Sequence, residues 1–134
     1  MTTKRRLHDL QRLVHVADLL YRHKAGEVGR ARRHRDDLAA SAARAQNWVD
    51  ENGSDRGAWR ERVLARAARL RGDLATANAA LEQKIRDAAQ ALAGAKGLEA
   101  KRQSMMAKAR AEATANDLAD ILEVITRDPP ASFE

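Results

Sequence analysis

From Leu7 to Val49 the chain alternates steps of three and four between residues that want to leave water. The positions are Leu7, Leu10, Val14, Ala17, Tyr21, Lys24, Val28, Ala31, Arg35, Leu38, Ala42, Ala45 and Val49. Only Lys24 and Arg35 break the apolar or aromatic line. An alternation held over six heptads constrains the fold more than any other feature here. It requires an α-helix with one narrow apolar stripe, and that stripe needs a helical partner. Composition supports the same conclusion. Hydrophobic residues make up 44% of the chain, but aromatics only 3% and charged residues 33%. Much of the apolar share is alanine, which cannot build a thick core, so long helices meeting along a seam are expected.

The partner lies in the same chain. Asn52, Gly53, Ser54, Asp55, Arg56 and Gly57 form a run of turn formers. Gly53 suits the residue that ends a helix, and Ser54 or Asp55 suits the cap of the next. A second run starts at Trp59 and proceeds through Val63, Ala67, Leu70, Leu74, Ala77, Leu81, Ile85, Ala88, Leu92 and Ala95. The step from Leu81 to Ile85 repeats a four, so a stutter that locally unwinds the supercoil is expected there. A last amphipathic stretch holds Leu118, Ile121, Leu122 and Ile125 before RDPP. The expected fold is all-α, a long antiparallel two-helix coiled-coil hairpin within a single elongated domain. Helix 1 spans about 4–50, the turn 51–57, helix 2 about 58–127, and a short disordered tail 128–134. Helix 1 alone is roughly 70 Å long at 1.5 Å per residue. Gly94 and Gly97 weaken helix 2. Strong helix formers on both sides favour a continuous helix over a fold-back of 98–127 as a third helix. If continuous, roughly the last turns of helix 2 outrun helix 1 and need another partner.

The formal net charge is +6, unevenly spread: residues 98–134 hold 5 basic and 7 acidic side chains. Basic clusters occur at Lys4–Arg6, at RARRHR from Arg30 to Arg35, and from Arg60 to Arg71. Acids interleave with them, and no helix-turn-helix, zinc spacing or aromatic platform accompanies them. A solvated face is the plain reading, with phosphate binding without sequence specificity the alternative. His8, His15, His23 and His34 lack the i, i+4 spacing of a metal site, and there is no cysteine. No phosphate loop, nucleophile elbow or other catalytic constellation occurs. A two-helix scaffold has no pocket in which to tune a catalytic group, so neither an enzyme nor a cofactor is expected. The N-terminal charges interrupt any apolar run, so neither a secretory signal nor membrane insertion is expected, and a cytoplasmic protein is.

Trp48 and Trp59 flank the turn in a chain with only four aromatic residues. They suit a stack that closes the hairpin tip and, together with it, an exposed anchor at Trp59, since Trp and Arg are enriched in binding hot spots. Trp59 precedes Arg60, Arg62, Arg66 and Arg69.

A short basic start, a first helix, a polar Gly-containing turn followed by GAWRERV, and the long LEQKIRDAAQALAGAKGLEAKRQS helix together resemble the FliJ family. These are coiled-coil stalk proteins of flagellar export, related to a component of injectisome type III secretion. The resemblance covers residues 4–127. It implies a noncatalytic stalk peripheral to the inner membrane that enters and stimulates the hexameric export ATPase. It also implies contact with the membrane export gate and escort of substrates or their chaperones. On that pattern the end carrying both termini faces the ring, with Arg5, Arg6, Leu7 and Leu10 opposite Leu118 and Leu122. Trp48, Trp59, Arg62, Val63 and Arg66 lie near the gate-facing tip. A structural coiled-coil scaffold, homodimeric through the C-terminal overhang, is the alternative, and a nonspecific nucleic-acid binder is a further one.

Overall fold

The computed structural model describes residues 2–52 and 57–127. Within them lie two helices, α1 (Thr3–Glu51) and α2 (Ala58–Arg127), and no strand. They pair as the expected antiparallel hairpin. The expected capping roles of Gly53, Ser54 and Asp55, the prolines at 129 and 130, and the tail 128–134 lie outside the described residues. Thr2 caps α1, its carbonyl accepting from the Arg5 amide at 3.1 Å and its hydroxyl oxygen from the same amide at 3.4 Å. At the other end the Asn52 backbone amide and side-chain amide both donate to the Trp48 carbonyl, at 3.0 and 2.9 Å. One residue thereby satisfies a carbonyl that the ending helix would orphan.

α2 runs unbroken through Gly94 and Gly97 to Arg127. Among the described residues there is no third helix. A methyl group added at either glycine would meet nothing within 4 Å, so neither serves a close approach, and the helix formers around them carry the backbone through.

The chain forms two compact units, a terminal unit of Met1–Ala17 with Gly94–Glu134 and a central unit of Asp18–Ala93. In the central unit all nine α1 heptad positions from Tyr21 to Val49 are half-buried or buried. Opposite them lie Val63, Ala67, Leu70, Leu74, Ala77, Leu81, Lys84, Ala88 and Ala91. The chain direction is fixed by two cross-helix hydrogen bonds, Arg71 to Gln46 at 3.2 Å and Lys84 to Glu27 at 3.1 Å. As α2 advances from 71 to 84, its partner retreats from 46 to 27. Every buried side chain among the described residues belongs to this unit: Val49, Ala67, Ala77, Leu81 and Ala88.

The expected stutter is absent. Ile85 is 44% exposed, and Lys84, three residues after Leu81, takes the seam position. The steps of three and four then continue unbroken through Ala88 and Ala91. Lys84 is acceptable there because Glu27 meets it across the seam, while its aliphatic stem covers apolar surface. The start of the run is corrected in the same way. Trp59 is 61% exposed, and Arg60 holds the partly buried position one heptad step before Val63.

In the terminal unit Leu7, Leu10, Val14 and Ala17 of α1 are half-buried, as are Ala95, Leu98, Arg102, Met105 and Ala109 of α2. Arg102 enters the seam with a forked partner: its Nε and Nη2 donate to the two carboxylate oxygens of Glu99 at 2.8 and 2.5 Å. Its Nη1 lies 3.0 Å from the sulfur of Met106. From Ala111 to Arg127 every residue is exposed.

Candidate interaction surface

The central unit gathers one set of the expected contact residues. Trp59, Arg62, Val63 and Arg66, with Ala65 and Arg69, line a shallow cleft on α2. Their spacing explains it, since residues three, four and seven apart stack along one helix face. The cleft has an apolar floor of indole and Val63 methyls with guanidinium groups around it. Trp48 does not line it. Trp48 is half-buried near the end of α1, and Trp59 is 61% exposed beside the guanidinium groups.

A second surface lies in the terminal unit, in a groove between the helices. Leu10, Leu13 and Met105 form its floor, and Arg6, Lys101 and Lys108 with Asp9 and Ser104 form its rim. Leu13 is 53% and Val16 61% exposed; with Asp9 and Arg12 they line a further shallow depression on α1. Arg5 is exposed and Leu7 half-buried in the seam. The expected opposition of Arg5, Arg6, Leu7 and Leu10 to Leu118 and Leu122 does not occur. The α2 residues opposite are Lys101 to Lys108, and Leu118 and Leu122 lie ten or more residues beyond, 56% and 62% exposed. The apolar pattern names the face each helix buries, but not how far one antiparallel helix is offset along the other. That offset also rests on the turn and on polar pairs in the seam.

One of those pairs was not legible as a site. Glu27 accepts from Lys84 at 3.1 Å and lies 3.0 Å from His23 Nε2 and 3.9 Å from Lys24 Nζ. The hydrogen bond from Lys84 holds the Glu27 carboxyl below the ordinary carboxylate range against the opposing effect of burial, with the Lys24, Lys84 and His23 charges adding to it. Glu99 is lowered likewise by its hydrogen bond from Arg102, whose own pKa is raised. The sequence signal was available: two lysines, 24 and 84, fall on seam positions, and a lysine there needs an acid within reach. The Glu27–Lys84 pair joins α1 to α2, whereas Glu99–Arg102 lies within α2.

Among the described residues no group of three or more His, Cys, Asp or Glu side chains is placed to hold a metal ion. Among the described residues no helix is long and apolar enough to cross a membrane. Comparisons with protein-family models, curated proteins and solved structures give no significant match.

Proposed function

We propose that the chain is a noncatalytic coiled-coil stalk of a flagellar or type III protein export apparatus. In this reading it works in the cytoplasm at the inner membrane, binding and stimulating the hexameric export ATPase. It links that ring to the export gate and escorts substrates or their chaperones. The observation that carries the reading is the segment 111–127, an amphipathic helix extended past any partner in its own hairpin, with Leu118, Ile121, Leu122 and Ile125 in water. A helix displayed in this way is built to be enclosed by another protein, and an ATPase ring encloses helices. The Trp59 cleft supplies a separate basic and aromatic surface suited to the gate. The resemblance of the helix–turn–helix organisation to the FliJ family supports the same assignment.

The test is titration of the chain into the export ATPase of the same organism, following hydrolysis and ring assembly together. Saturable stimulation near one chain per hexamer is expected, and Leu118→Asp with Leu122→Asp abolishes it. Absence of binding at micromolar concentration overturns the stalk assignment. A structural coiled-coil scaffold is the second reading, favoured by the complementary surfaces of the terminal unit.

A further inference from the structure

The segment 111–127 carries an apolar line that does not continue the seam. The seam of α2 runs through Arg102, Met105 and Ala109. Prolonged by the same steps it would reach Glu112, Asn116, Ala119, Glu123 and Thr126, a polar row. The apolar row is Ala111, Ala115, Leu118, Leu122 and Ile125, one position earlier at each step and so rotated by about 100° about the helix axis. Extended backwards in threes and fours, this row passes through Lys108, Ser104 and Lys101. Those three residues are the α2 wall of the groove floored by Leu10, Leu13 and Met105. One helical line therefore carries a donor half, apolar and flanked by Asp117, Asp120 and Glu123, and an acceptor half, rimmed by Lys101, Lys108 and Arg6.

We propose that the terminal unit is a self-complementary interface, in which the 111–127 helix of one copy lies in the Arg6–Leu10–Leu13–Lys101–Met105–Lys108 groove of a second copy, and the reverse. A chain cannot fill its own groove, because Leu118 lies ten residues past Lys108 on the same unbroken helix, roughly 15 Å along it. Two copies with α2 antiparallel about a twofold near Ala113 bring Leu118 against Lys108 of the partner subunit, and Leu122 against Ser104 of the partner subunit. Ala111 then meets Ala115 of the partner subunit at the axis, where small side chains let the helices approach. The contact is isologous and closed, so it stops at a dimer. The competing register, with Leu118 against Leu122 of the partner subunit, also buries apolar surface. It sets Asp120 against Asp120 of the partner subunit and Asp117 against Glu123 of the partner subunit, and like charges facing each other are disfavoured. Charge therefore selects the groove. Monomeric proteins rarely leave an apolar row of this length in water, which is a further reason for a partner. The dimer takes up the same 111–127 helix that the export reading gives to the ATPase ring, so the two contacts are alternatives for one surface, and this one is measured on the chain alone.

The experiment is sedimentation equilibrium from low micromolar to hundreds of micromolar, with cysteine pairing to fix the register. The wild-type chain is expected to rise from monomer to dimer mass and go no higher. L118D/L122D weakens association by at least about tenfold, and K101E/K108E weakens it as well, both with helicity by circular dichroism unchanged. The chain has no cysteine of its own. A mixture of S104C and L122C chains is expected to form a disulfide-linked pair on mild oxidation, while either alone does not. A monomer throughout the range overturns the proposal, as does a dimer indifferent to both double variants. Cross-linking of L118C with L122C chains, but not of S104C with L122C, also overturns it, because that outcome identifies the acid-against-acid register.

Discussion

The central and terminal units use one rule of threes and fours with different residues, and they bury them differently. The central seam mixes alanines (Ala31, Ala42, Ala45, Ala67, Ala77, Ala88 and Ala91) with large residues such as Tyr21, Leu38, Leu70, Leu74 and Leu81, and it contains every buried side chain among the described residues. The terminal seam mixes Leu7, Leu10, Val14, Leu98 and Met105 with Ala17, Ala95 and Ala109, and none of its described residues is buried. Side-chain size and burial therefore part company. In the central unit even Leu81 is only 5% exposed, whereas Leu7, Leu10, Leu98 and Met105 of the terminal unit stay half-open to water. A seam that covers its large side chains is complete in itself, and one that leaves them half-open is a half-built bundle.

This contrast is open to direct attack. The largest effect is expected from Leu81→Ala in the central unit, where the side chain is 5% exposed. Removing it should cost about 2–5 kcal/mol, whereas Leu122→Ala in dilute monomer should change stability by no more than about 0.5 kcal/mol. Urea unfolding followed by circular dichroism separates the two, and equal losses would erase the distinction between complete and half-built seams. Next come Gly94→Ala and Gly97→Ala, at solvent-facing helical positions with free space for a methyl group. Each should stabilise α2 by about 0.5–1 kcal/mol, from helix propensity and a less entropic unfolded chain. The gain should appear as slower amide exchange in the terminal unit. A destabilising outcome would mean that these glycines serve a contact of their own.

The smallest effect concerns Glu27. Its carboxyl is held below the ordinary range in the folded chain, so its contribution is full above the unfolded carboxylate pKa of about 4.3. That contribution is lost as pH falls through the lower folded value. Glu27→Gln should remove this part of the acid sensitivity of the central unit while leaving its stability near pH 7 lower than wild type, where the carboxylate and its lysine partner are both charged. An unchanged acid limb in the variant would show that Glu27 is not linked to the fold.

The thirteen α1 positions from Leu7 to Val49 were all legible, because apolar periodicity reports the face a helix turns inward. Lys24 and Arg35 were legible as exceptions, and they too lie in the seam, Arg35 with its Nε donating to Asp36 at 2.7 Å. On α2 the same method failed at Trp59 and Ile85. Each is a large apolar residue beside a seam position held by Arg60 or Lys84, and an apolarity pattern follows the greasier neighbour. Strict counting from Leu81 would have found Lys84. At the candidate site, the grouping of Trp59 with Arg62, Val63 and Arg66 was readable because all four share one helix. The relation of Arg6 and Leu10 to α2 was not, because it depends on the longitudinal offset of two helices, which heptads repeat every seven residues without distinguishing.

The exposed 111–127 segment has a thermodynamic standing of its own. Detached, a helix of that length would be marginal in water, since the first turn must be ordered before any residue is repaid. As a continuation of α2 it inherits a nucleus from the paired residues and pays only for propagation. Its helicity is thus borrowed from the contact between Leu7, Leu10, Val14 and the α2 residues up to Ala109. Whatever loosens the first turns of α1 should unwind residues far beyond their reach, and whatever clasps the far segment should tighten the first turns in return.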